Sequence, residues 1–175
     1  MNLLSSTVSI CADSRKKTQS PSMDPSIMRT VIQRVSSAKV EVNGNTIGSI
    51  SKGLVVLLGI ENGDTQREGQ WLAEKIANLR IFEDEKGKMN DSALVTRGSI
   101  LIVSQFTLLA DCQHGRRPAF TNAAEPSLAK RLYLAFIASV KQLGLNVQTG
   151  EFGADMQLTL TNDGPVTILL ERAHH

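Results

Sequence analysis

The chain is poor in the residues that announce most catalytic chemistries. It has two cysteines, Cys11 and Cys112, far apart and without a CxxC pair. That argues against a disulfide framework and points to a reducing compartment. The three histidines are His114, His174 and His175, and no HExxH or Cys/His cluster occurs, so a metal site has no sequence support. GxGxxG, P-loop and GxSxG patterns are missing as well, which removes the usual marks of dinucleotide binding, P-loop nucleotide hydrolysis and the α/β-hydrolase triad. Aromatic residues make up 4% of the chain, so aliphatic side chains must fill the core. No apolar run approaches the length of a membrane span. A net charge of +2 is too small to announce a nucleic-acid binder, and any RNA contact must use a local patch.

What is present is ordinary globular composition over 175 residues, enough for one domain. Residues 1–27 differ from the rest. They hold seven serines, Pro21, Pro25 and the basic run Arg15-Lys16-Lys17, and they read as disordered. Three explanations compete: a start codon placed upstream of the true one, an organellar targeting peptide, or a functional tail. The domain proper is expected over 28–175, opening at Met28 with "MRTVIQRV".

Two strands are expected in "RTVIQRV" and "AKVEV", then a hairpin turn at Asn43-Gly44-Asn45 that returns through "TIGSI". "GLVVLLGI" reads as a fully buried strand. Thr65-Gln66-Arg67-Glu68 is a capping box opening a helix with Leu72, Ile76 and Leu79 on one face. "SILIVSQFTLL" reads as another buried strand. Pro126 suits the first turn of a second helix, whose stripe is Leu128, Leu132, Phe136, Val140 and Leu143 and which Gly144 ends. Further strands are expected near 147–152, 156–161 and 166–171. The order predicts an α/β fold: a single compact domain of mixed, curved β-sheet with two main helices packed on it.

Two stretches break the apolar pattern. In 104–108, "SQFTL", strand alternation predicts Ser104 and Phe106 on one face and Gln105 and Thr107 on the other. Either the strand simply emerges into solvent there, or the polar cluster binds a carbonyl or amino group at a strand's C-terminal end. Thr107 as a nucleophile lacks an evident base. In "TNDGPVTILLE", 161–171, Asn162-Asp163-Gly164-Pro165 is turn chemistry set against a strand-like run. Between them, "DCQHGRRPAF" offers Arg116 and Arg117 either to phosphates or to solvent, and Phe120 as core anchor or pocket wall. His114 reads as a surface residue, and Met156 in "GADM" as a core filler.

Taken in order and spacing, "SQFTL", "RRPAF", "GADM" and "NDGPVT", with "MRTVIQRV" at the start, resemble the D-aminoacyl-tRNA deacylase family over essentially all of 28–175. The resemblance implies hydrolysis of the ester between a D-amino acid and its tRNA, and of glycine mischarged on alanine tRNA, with L-esters spared. It implies a cytoplasmic homodimer that uses no metal or other cofactor, binds the 3′-terminal adenosine of aminoacyl-tRNA and is not a membrane protein. It also implies that Gly164-Pro165 is a cis bond projecting into the partner subunit's site, where backbone carbonyls exclude an L side chain. Ser104, Gln105 and Thr107 would hold the ester or amino group, with Thr107 either nucleophile or positioning group. Phe106 and Phe120 would shape the adenine end, Met156 would line the pocket near Gly-Pro, Arg34 would orient that element and Thr167 would support it. The competing reading is a nucleic-acid-binding module without hydrolysis, using Arg116, Arg117, Lys130 and Arg131; some members of the family are associated with DNA replication.

Overall fold

A computed structural model describes residues 26–173; of the N-terminal extension expected over 1–27, residues 1–25 lie outside the described part, and Ile27 already belongs to the first strand. One strand organises the rest. β1 (Ile27–Val42) pairs on one side with β2 (Asn45–Ile50) and β3 (Gly53–Gly59), and on the other with β8 (Gln157–Ala173), antiparallel in each case. β3 then pairs in parallel with β6 (Ser99–Ser104), and β6 in parallel with β7 (Val147–Thr149). The two strands expected at the start are therefore one, because β8 offers a partner past Ser36 and Ser37. The two strands expected at the end are likewise one.

The central strands show why the apolar runs are continuous. β3 and β6 are covered on both faces, and Leu54, Val55, Val56, Leu101 and Ile102 are fully buried. On one face, Ile32, Leu54, Val56, Leu58, Ile100 and Ile102 pack against helices α1 (Gln66–Ala77) and α3 (Pro126–Gln142) through Leu72, Ile76, Leu132 and Phe136. On the other, Val35, Val40, Val55, Leu101 and Val103 are closed over by Met156, Leu158 and Leu160. The sheet can cover its own second face only by curving. Gly48 of β2 lies so close to β7 that a Cβ there would sit 2.8 Å from the Thr149 carbonyl.

The helix ends follow the sequence. The Thr65 side chain accepts from the Arg67 amide and forms a capping box with Glu68, whose carboxylate takes the Thr65 N–H at 2.8 Å. Leu79 lies beyond the helix end rather than on its face. Pro126 opens α3, and Gly144 follows its last turn with φ +85°. A short hairpin, β4 (Phe82–Glu83) with β5 (Met89–Asp91), and the four-residue α2 (Ala93–Thr96) fill the crossover and were not foreseen. Among the described residues no helix is long and apolar enough to cross a membrane.

Asp64 is buried just before α1, and its carboxylate accepts the Glu61 amide at 2.7 Å. Burial raises its pKa to about 6; the Glu61 amide and Ser26 hydroxyl oppose the rise, and the Glu61 and Glu68 charges add to it. A carboxyl raised above its unfolded value of 3.8 keeps a proton in the fold that the unfolded chain releases. Its contribution therefore falls as pH rises from about 4 to about 6. Asp64→Asn should raise the melting temperature at pH 7 relative to that at pH 4; thermal melts showing an unchanged balance between the two would mean that Asp64 ionises freely in the fold.

Candidate active site

β6 ends at Ser104 because its partner β3 ends at Gly59, which leaves no strand edge to follow. Gln105 still donates its amide to the Leu58 carbonyl at 2.8 Å, then the backbone turns and 106–109 form one 3₁₀ turn. The expected strand alternation of 104–107 therefore does not hold. Phe106 and Thr107 both stand exposed on the turn, and Ser104 is half-buried below them. Gln105 donates its side-chain amide to the Thr107 hydroxyl. Among the described residues no histidine or carboxylate hydrogen-bonds that hydroxyl.

Two residues absent from the sequence reading dock this turn. A Cβ at Gly59 would meet Leu108 Cβ at 3.1 Å and the Gln105 carbonyl at 3.2 Å, so glycine leaves the turn its seat on β3. Arg29, on β1, donates Nη1 to the Leu108 carbonyl at 3.3 Å, and its Nε lies 3.1 Å from Glu171. Leu109 is buried and anchors the turn from beneath. A glycine inside an apolar run was the one available signal for Gly59.

Phe120 is no core anchor. It is exposed, and its ring meets that of Phe106 edge-on at 5.1 Å. Met156 sits at the β6 end of the molecule, packed on the second core. Its Sδ lies 2.6 Å from where a Cβ on Gly150 would be, with Val103 beside it. Tyr133 lies between β6 and the start of the loop carrying Met156: its buried hydroxyl is 2.9 Å from the Ile102 carbonyl and 3.4 Å from the Gly150 carbonyl. Burial also pushes that phenol's pKa up.

The Gly-Pro element lies within β8 as a bulge, not as a turn between two strands. Gln33 pairs with Thr167 and Val35 with Asn162, so Asp163, Gly164, Pro165 and Val166 stand opposite Arg34 alone. A bulge is where a sheet tolerates proline, since no ladder bond is then missed. The Gly164-Pro165 bond is cis. Asn162 bridges the bulge: its Oδ1 accepts the Val166 amide at 3.0 Å, and its Nδ2 donates to Thr167 Oγ1 at 3.2 Å. Arg34 is buried beneath, donating Nε to the Asp163 carbonyl at 3.0 Å, pairing with its carboxylate at 3.3 Å and donating Nη1 to the Ile81 carbonyl. Gly164 and Pro165 themselves are exposed.

Within one chain the two motifs do not meet. β8 and β6 are separated by β1 and β3, about 14 Å across the sheet at ordinary strand spacing. Thr167 lies level with Gln33, Val55 and Leu101, about 10 Å along the strands from Ser104. One cleft of about 360 Å³, lined by Leu94, Arg97 and 143–146, contains neither motif, and nor does one of about 300 Å³ at 37–39 and 159–161.

Gly164 has φ +132°, and a Cβ there would sit 2.9 Å from Val166 Cγ2 and 3.0 Å from Arg34 Nη2. Gly164→Ala should cost about 1–3 kcal/mol in urea unfolding, through backbone strain and a displaced Arg34. An unchanged midpoint would mean that the bulge yields.

The comparisons with known proteins agree on one family. A family model described as D-Tyr-tRNA(Tyr) deacylase matches residues 31–171. Proteins named D-aminoacyl-tRNA deacylase from Thermosipho africanus and Geobacter sulfurreducens are 58% and 56% identical over 144 residues, 82% of this chain and 97% and 95% of theirs. A solved structure titled c-Myc DNA Unwinding Element Binding Protein superposes with a TM-score of 0.78 at 42% identity, covering 83% of this chain and 99% of that one. A probable eukaryotic D-amino acid tRNA deacylase shares the fold at 18% identity, with a TM-score of 0.73 and coverage of 83% and 100%. The chain belongs to the D-Tyr-tRNA(Tyr) deacylase family, enzymes that hydrolyse the ester joining a D-amino acid to tRNA.

Proposed function

We propose that this deacylase is a chiral proofreader whose selectivity lies in rejection, with Gly164-Pro165 of one subunit completing the site on the 104–107 segment of the other. The observation that carries the reading is the separation just described: two exposed motifs on strands three spacings apart along the sheet, with no hydrogen bond or ring contact between them among the described residues. A second copy supplies what is missing. β8 also offers a long outer edge with Leu169 exposed, a surface suited to a partner of the same kind.

D and L esters carry identical groups, so an inventory of hydrogen bonds cannot separate them, and the site must clash with one hand. Backbone carbonyls at Gly164 and Pro165 would meet an L side chain at the α-carbon. A D side chain points away, and glycine, having none, passes, so glycine on alanine tRNA is also a substrate. Arg34 and Asn162 fix the bulge and Thr167 supports it from the strand. Ser104, Gln105 and Thr107 hold the ester and amino group, Met156 borders that segment, and Phe106 with Phe120 offers a ring face to the terminal adenine. A water assisted by the 2′-hydroxyl of the adenosine attacks the ester carbonyl, the bond to the ribose oxygen breaks, and that oxygen takes up a proton. The protein's share is position, since Thr107 is bonded to an amide rather than to a base. The reaction needs neither a metal nor an organic cofactor, and it takes place where charged tRNA is found, in the cytoplasm.

A second reading is favoured by one observation, the structural relative whose title names DNA binding. Under it the chain binds nucleic acid and hydrolyses nothing. Paired assays on D-Tyr-tRNA and L-Tyr-tRNA decide: the proofreader cleaves the first and spares the second, whereas a folded dimer that cleaves neither is the binding module. In the same assay Thr107→Ala should slow hydrolysis of the D ester by about 10²-fold or less, as loss of a positioning group does. Complete loss with folding and RNA binding intact would restore Thr107 as nucleophile.

A further inference from the structure

The arm at 111–120, which runs up to Phe120, buries no side chain of its own. Asp111 and Ala119 close it with a reciprocal pair of backbone hydrogen bonds, 2.8 and 2.9 Å. Every residue from 111 to 120 is exposed, and at the bend a Cβ on Gly115, φ +75°, would meet nothing within 4 Å. The arm nevertheless carries Arg116 and Arg117 side by side. Some arginines are engaged within the chain: Arg29 pairs with Glu171, Arg34 with Asp163, and Arg80 bonds Asn90, whereas Arg67, Arg97 and Arg131 stand singly without an ion pair among the described residues. Among the described residues neither Arg116 nor Arg117 makes an ion pair. The arm's own carboxylate, on Asp111, accepts the Gln113 amide at 2.9 Å.

Its base fixes where the arm stands. Phe120 closes it and touches Phe106, so Arg116 and Arg117 stand within four residues of the aromatic pair along the chain. A nucleotide stacked there is joined through its 5′ phosphate to the rest of its strand. Guanidinium groups bind phosphate in a planar, bidentate fork that lysine cannot copy. We propose that Arg116 and Arg117 clamp the backbone phosphates of the single-stranded RNA leading into the site, so that the arm binds the nucleic acid while the 104–107 turn binds the ester. This rests on the deacylase reading and adds a division of labour to it.

The test uses two substrates in one assay: D-Tyr-tRNA, and D-tyrosyl-adenosine, which has no 5′ phosphate. Arg116→Ala/Arg117→Ala should lower kcat/KM on the tRNA ester at least tenfold, mainly through KM, and change the rate on the adenosine ester less than twofold. Against log salt, log kcat/KM on the tRNA should lose about 1.4 of its slope, since each single-strand phosphate contact contributes about 0.7. Lys52→Ala/Lys141→Ala removes the same charge at the opposite end of β6 and should keep the wild-type slope. Equal loss on both substrates, an unchanged tRNA rate, or the same slope change in the lysine variant would overturn the clamp. So would loss confined to binding of a single-stranded DNA oligonucleotide. Wild-type protein that cleaves neither ester would instead overturn the deacylase reading beneath it.

Discussion

A buried guanidinium has to be satisfied, and Arg34 is satisfied by the segments whose positions define the Gly164-Pro165 bulge. Its side chain is 6% exposed and that of Asp163 is 41% exposed, so the pair is fixed from inside and open from outside. Leaving such a cation without partners costs about 3–5 kcal/mol. That penalty holds the Asp163 carbonyl and carboxylate over Arg34 and draws the Ile81 carbonyl to its other side. Asn162 closes the far end of the bulge through Val166 and Thr167. The exposed dipeptide is therefore rigid where a loop of the same sequence would be free.

Rigidity is what the proposed rejection of L-esters requires. A side chain that blocks an L substituent can rotate aside, whereas a carbonyl held in a braced bulge cannot. The 104–107 turn, the other half of the proposed site, is built on the same plan. It rests on Gly59, Arg29 and Leu109, so that Gln105, Phe106 and Thr107 project from a fixed base. Each motif is shaped by its own chain, and under the proposed function neither is a site alone. The proposed chemistry, in which the substrate's 2′-hydroxyl and water supply the reacting groups, suits a surface without a basic side chain.

Local chemistry was legible in the sequence; pairing was not. The capping box at Thr65, the hairpin at Asn43-Gly44, the N-terminal Pro126 and the closing Gly144 are set by neighbours a few positions away, and each appears as read. The end of β6 at Ser104 is set by the end of β3 at Gly59, forty-five positions earlier, which periodicity cannot see. The same holds for Asn162-Asp163-Gly164-Pro165. Its residues favour a turn in isolation, but β1 runs past it and pairs on both sides, which makes it a bulge. The motifs of the candidate site were visible as polar breaks in apolar runs. Their supports, Arg29 and Gly59, were not, since an arginine near a strand's start and a glycine near a strand's end have many explanations.

The central claim is that the Gly-Pro element of one subunit guards the site of the other, and mixed dimers test it directly. One chain carries Pro165→Ala with its 104–107 segment intact; the other carries alanine at 104, 105 and 107 with Gly164-Pro165 intact. The account predicts that the first chain alone leaks into hydrolysis of L-Tyr-tRNA, and that co-assembly with an excess of the second suppresses the leak while cleavage of D-Tyr-tRNA continues. A leak that persists undiminished in the mixed dimers would contradict it.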